Sequence, residues 1–156
     1  MKAIIRQEYG PPDVLSLRDI AEPVAGDADV LVRVRAAGVN MADVDYMLGR
    51  PDIARLMTGW RGPRDRGLGI DVAGQVQAVG KDVTRFQPGD EVFGDLTEHG
   101  FGAFAEYACA REDAFALKPT ALTFEEAATV PQAGVMALQG LQGKRSIEAG
   151  HQVLIN

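Results

Sequence analysis

Asn40 and Asp43 stand three apart where an alternating apolar segment gives way to a short helical one, in Ala36-Ala37-Gly38-Val39-Asn40-Met41-Ala42-Asp43. An amide and a carboxyl at that spacing can aim into one cleft. There the amide orients a ligand by hydrogen bonding and the carboxyl fixes the corner or relays a proton. The same pair also suits a helix start, because Asn is a favoured N-cap and an acidic residue three positions on complements the helix dipole. Spacing alone favours the helix-start reading, because polar helix starts are far commoner than sites. Other reactive side chains are sparse. His99 and His151 lie far apart with no thiolate neighbours, and one cysteine, Cys109, can build neither a multi-thiolate zinc site nor an internal disulfide. Cys109 falls in an alternating segment with no nearby base, which fits a small core residue, and His99 beside Glu98 is expected to face solvent. Gly100-Phe101-Gly102-Ala103-Phe104-Ala105 matches a dinucleotide fingerprint by its letters. A turn precedes it and an alternating strand follows, so no helix offers its amides to a pyrophosphate.

The elements that must position these residues read mainly as β. Residues 2–8 and 14–20 are predicted strands joined by the turn Gly10-Pro11-Pro12-Asp13, and the strand entering the corner places Val30, Val32, Val34 and Ala36 on one face. A helical pattern follows over 42–48 and Gly49 ends it. Residues 49–69 then carry five arginines against two aspartates. They read either as a solvated surface loop with a helical turn over 53–57 or as a lid that attracts an anion. The next strand, over 69–80, has Gly74 inside it, which signals a bulge or a close backbone approach. Short strands over 91–93, 103–110 and 114–117 follow, a spacing that suits a compact barrel or sandwich. Thr123-Phe124-Glu125-Glu126 is a capping box. Pro131 opens a helix with Val135, Leu138 and Leu141 on one face, residues 146–150 turn the chain, and 151–156 read as a strand.

At 156 residues with 46% hydrophobic and 24% charged residues, the chain has an ordinary soluble composition. A net charge of −6 argues against nucleic acid or an anionic membrane as partner, and no apolar run approaches the roughly 20 residues of a membrane span. The N-terminus has no signal-peptide layout and the lone cysteine suits a reducing compartment, so a cytoplasmic protein is expected.

Taken in order, the pieces resemble the N-terminal, GroES-like half of the medium-chain dehydrogenase/reductase superfamily, in its zinc-independent quinone oxidoreductase-like branch. The matching stretches run nearly end to end. They include Asp29-Val30-Leu31-Val32-Arg33-Val34, the Gly38 to Asp43 corner and Gly69-Ile70-Asp71-Val72-Ala73-Gly74. Pro88-Gly89-Asp90-Glu91-Val92-Phe93-Gly94, Ala105-Glu106-Tyr107, Leu117-Lys118-Pro119 and Glu125-Glu126-Ala127-Ala128 continue the match.

The resemblance implies a partly open β-barrel over residues 1–122 that carries the substrate side of the active site. It implies that 123–156 supply linker helices and the first strand of a Rossmann domain, most of which lies beyond this chain. On the same resemblance, Asn40 and Asp43 match positions facing the nicotinamide or substrate, Asp45 and Tyr46 stand near a pocket tyrosine, and Thr129 and Met136 lie on the cofactor approach. Zinc-dependent relatives carry a cysteine ligand where Asn40 stands and a histidine ligand where Ile70 stands, so a catalytic zinc is not expected. The reaction implied is hydride delivery from NADPH to a quinone or enone, in a full-length homodimer, with the present residues inactive alone. The rival readings are a GroES-like module kept for binding or scaffolding, and, behind it, a zinc-dependent alcohol dehydrogenase.

Overall fold

The computed structural model describes residues 1–64, 67–142, 147–148 and 150–154. A hairpin of β1 (Lys2–Arg6) and β2 (Leu15–Asp19) stands beside a five-stranded antiparallel sheet. That sheet runs in the order β6 (Tyr107–Arg111), β3 (Asp29–Ala37), β4 (Asp71–Val79), β5 (Glu91–Asp95), β7 (Phe115–Leu117). Single bridges from Ala3 to Ala105 and from Ile5 to Gly67 tie the hairpin to the segments that lead into β6 and β4, without closing the sheet. The result is the partly open, mainly β barrel expected of a GroES-like domain.

The alternation in the sequence sets which side chains fill it. Val30 and Val32 of β3 are wholly buried while Arg33 and Arg35 face out. They pack with Val72, Val76, Val92, Leu96 and Phe115 into the main core. Gly74 lies opposite Val34, between two irregularities in the β3–β4 register. A Cβ at Gly74 would stand 2.3 Å from the carbonyl oxygen of Arg33, so the strands reach this spacing because the residue has no side chain.

The helices are short. They are α1 (Met41–Leu48), α2 (Arg55–Thr58), α3 (Phe124–Ala127) and α4 (Pro131–Leu141). Gly49 ends α1 with φ 67°, a left-handed conformation that favours glycine. The capping box forms as the sequence predicts: the Glu126 N–H donates to the Thr123 hydroxyl at 3.2 Å, and the Thr123 N–H donates to the Glu126 carboxylate at 2.9 Å. Ala127 and Ala128 are buried against Ala73, so α3 packs on the barrel. No helix among the described residues is long and apolar enough to cross a membrane.

Some expected boundaries move. The strand expected over 2–8 ends at Arg6, and that expected over 103–110 enters the sheet at Tyr107. The reason for the second shift is a run of left-handed residues, Gly100, Phe101 and Gly102, that turns the backbone before it can extend. Its next amides, at Ala103 and Phe104, instead donate to the carbonyls of Gly69 and Leu68. The strand expected over 151–156 is absent from residues 151–154, which are irregular and exposed, and 155–156 lie outside the described residues. A strand needs a neighbour to complete its ladder, and none of the described strands pairs with this segment. Of the turn expected over 146–150, Ser146 and Ala149 lie outside the described residues.

Candidate functional site

The corner after β3 is pinned to the start of β4. Gly38 donates its N–H to the backbone carbonyl of Asp71 at 3.1 Å, and a Cβ on Gly38 would meet the Ala128 carbonyl oxygen at 2.5 Å. Asn40 then adopts the extended conformation of an N-cap, and Asp43 closes the capping box by accepting the Asn40 N–H at 2.8 Å. The cap reading of this pair is therefore real. The Asn40 side chain also has a partner outside the helix. Its Nδ2 donates to Asp71 Oδ2 at 3.1 Å. The Asp71 carboxylate, wholly buried, further accepts the Gln132 N–H, at 3.1 and 3.2 Å to its two oxygens. The structure thus brings Asn40, Asp43, Asp71 and the first turn of α4 together.

Asp71 was not singled out by sequence reasoning. The available signal was a carboxylate flanked by glycine and apolar residues in Gly69-Ile70-Asp71-Val72, where an ionised group is costly to bury without partners. Burial raises its pKa to about 6; the Asn40 and Gln132 hydrogen bonds pull it back, while Asp95 and Asp43 add repulsion. Asp43 is likewise raised by burial, against the restraining amides of Asn40, Gly69 and Ile70, with Asp95 adding to the rise. Asp43 Oδ1 is buried and has no hydrogen bond of good geometry.

A cleft of about 560 Å³ opens between β5 and α4, lined among others by Phe93, Asp95, His99, Pro131, Gln132 and Met136. Asn40 and Asp43 are not part of its lining and connect to it through Asp71 and Gln132. Met136 stands at its rim, largely exposed. Thr129 lies off the lining, where its hydroxyl donates to the Glu126 carbonyl at 2.8 Å. His99 departs from expectation: its side chain is 17% exposed, stands 3.8 Å from Asp113 and borders the cleft. The strand and 3-10 turn around it fold back on β7, which a reading of neighbouring residues cannot show. Asp45 and Tyr46 lie in α1, and the Tyr46 ring packs on Phe101 with centroids 4.5 Å apart.

Within the arginine-rich segment, Arg55 donates to the carbonyls of Gly49 and Leu48 at 2.9 and 3.2 Å and lies over the Tyr9 ring. It thus satisfies the C-terminal end of α1, while Arg50, Arg61 and Arg64 are exposed. Burial pushes the Cys109 thiol up to about 11, which keeps it protonated and unreactive near neutral pH.

Ile70 is wholly buried hydrocarbon, and the Asn40 amide nitrogen is turned to Asp71. Among the described residues, no three His, Cys, Asp or Glu side chains are grouped to hold a metal ion.

This barrel, with its glycine-crossed sheet and its corner facing the start of a helix, is that of the alcohol dehydrogenase GroES-like domain. The chain belongs to that family, whose model matches residues 26–120, and within the medium-chain dehydrogenase/reductase superfamily its relatives include quinone oxidoreductases. It is 36% identical over 157 residues to a quinone oxidoreductase of Sus scrofa, a match covering all of this chain and 45% of the relative. It is 36% identical over 162 residues to a 2-methylene-furan-3-one reductase of Solanum lycopersicum, covering 99% of this chain and 40% of that one. A mycobacterial protein solved in complex with NADPH superposes with a TM-score of 0.80 at 30% identity, over 96% of this chain and 43% of the other. The chain spans less than half the length of these relatives.

Proposed function

We propose that this chain is the GroES-like portion of an NADPH-dependent oxidoreductase that delivers hydride to a quinone or enone without zinc. In this reading the full-length protein is a cytoplasmic homodimer acting on small molecules, and the 156 residues alone do not turn over. The observation that supports the zinc-free reading is the corner itself: an amide turned to Asp71 and a buried isoleucine stand where, on the family resemblance, zinc-dependent relatives carry ligands. Relatives named for a quinone and for a conjugated enone support the acceptor class. Such acceptors take hydride without a Lewis acid because conjugation already spreads the incoming charge.

The residues divide the work between orientation and exclusion of water. Asn40 hydrogen-bonds near the nicotinamide carboxamide or the acceptor oxygen, and Asp43 fixes the corner on which Asn40 stands. Pro131, Gln132 and Met136 offer a wall on the cofactor side, with Phe93 across the cleft, a lining that suits a flat ring. When bound, NADPH supplies the hydride, and a proton from solvent or a side chain completes the reduction of the acceptor.

The test uses the full-length gene product after treatment with a chelator. NADPH oxidation is followed with 1,4-benzoquinone and with 2-cyclohexen-1-one, alongside metal analysis of the purified protein. Turnover of either acceptor at less than about one-tenth zinc per chain is the expected result. Turnover that the chelator abolishes and zinc restores would contradict the zinc-free reading.

A further inference from the structure

Asp71 opens β4 with a wholly buried side chain, yet it gathers hydrogen bonds from elements far apart in sequence. Its backbone carbonyl takes the Gly38 amide, and its carboxylate takes Asn40 Nδ2 and the Gln132 N–H of the first turn of α4. Its neighbours Val72 and Ala73 are wholly buried apolar residues, so an apolar side chain here would extend the core with no ion to desolvate. What the carboxylate provides is a direct link between the Asn40 side chain on the corner and the Gln132 amide of α4. We propose that Asp71 is a positioning residue, a latch that holds the Asn40 corner and the first turn of α4, one wall of the cleft, in one fixed arrangement.

The chemistry of the link depends on charge. An ionised carboxylate only accepts, and both of its side-chain partners here are N–H donors. Protonation turns one oxygen into a donor and weakens the other as an acceptor, so the Asn40 and Gln132 N–H groups are left to share one neutral oxygen, Oδ2, which both already face. The titratable groups facing it are Asp43 from α1 and Asp95 from β5, both acidic and both opposing its ionisation. Burial raises the Asp71 pKa to about 6, so the form in which both oxygens only accept is the one present above that pH. The consequence of the latch for turnover rests on the oxidoreductase reading above; the latch itself does not.

The test is a pH titration of this chain by ¹H–¹⁵N NMR. The side-chain NH₂ of Asn40 and the backbone N–H of Gln132 are expected to shift with one common midpoint near 6. The backbone N–H of Asn40, bonded to Asp43, serves as an internal control for the neighbouring carboxyl. Asp71→Asn is expected to abolish the shared transition. Separate midpoints, flat profiles, or a transition that survives in Asp71→Asn would overturn the proposal, and the wild-type titration decides alone if that variant does not fold. In the full-length gene product, Asp71→Asn is expected to lower kcat/KM by about tenfold near neutral pH and to flatten the acid limb of its pH profile. An unchanged level and shape would also overturn the latch. A wild-type protein that turns over neither acceptor removes the oxidoreductase reading and leaves the NMR result standing.

Discussion

Asn40 does two jobs with one amide. It starts α1, as its residue type and the acidic side chain three positions on foretell, and it reaches across to Asp71 on another element. The first job is local and legible in the sequence; the second depends on a partner 31 residues away. Asp71 itself escaped sequence reasoning because a carboxylate in an apolar run gains its meaning only from the amides that converge on it. The raised pKa of Asp71 carries a definite sign for stability. Between its ordinary value of 3.8 and about 6, the folded state binds more protons at this site than the unfolded chain does. The contribution of Asp71 to stability therefore falls as pH rises through that window and is lowest above it. Urea unfolding of wild type and Asp71→Asn at a series of pH values isolates the effect. The wild-type advantage over the variant is expected to shrink by on the order of 2 kcal/mol from about pH 4 to pH 7. A constant or growing advantage would contradict the assignment.

At the scale of elements, alternation and capping chemistry carried most of the fold. The β3 pattern, the Gly49 stop and the Thr123 capping box all appear where residue types alone put them. A glycine inside the strand at 74 predicts a bulge or a close approach, and the structure has both: register shifts flank the Val34–Gly74 pair, one on each strand, and there is no room for a side chain. Gly74→Ala is accordingly expected to cost about 2 kcal/mol in denaturant unfolding, because the Arg33 carbonyl belongs to the ladder and cannot swing aside. A change within about 0.5 kcal/mol would refute that packing argument. Thr123→Ala, which removes one half of the capping box, is expected to cost about 1 kcal/mol in the same measurement. Two elements were harder to read. The loop through Gly100 to Gly102 uses left-handed backbone that no alternation pattern reveals, and residues 151–154 have strand-like composition without a strand to join.

Over the whole molecule, the barrel and α4 are unevenly joined. The main core forms from β3, β4, β5, β6 and β7 with the loops between them, and α3 adds the buried Ala127 and Ala128. By contrast Val135, Met136 and Leu138 of α4 are exposed. Ending the chain after Val130 is therefore expected to leave the thermal midpoint within a few degrees. Ending it before Thr123 uncovers Ala73 and lowers the midpoint by about 10 °C or more. Equal midpoints for the two truncations would show that α3 adds nothing to the barrel. The order of elements along the chain was legible because each has a local signature. The cleft was not, since its walls come from β5 and α4 and meet only in the folded molecule.

The central question is whether the corner at Asn40 serves a reaction. The most direct measurement is kcat/KM for 1,4-benzoquinone, with NADPH, in the full-length gene product carrying Asn40→Ala. A fall of about tenfold or more, with the thermal midpoint little changed, is the predicted result. A kcat/KM equal to that of the wild type would contradict it and leave Asn40 as a helix cap alone.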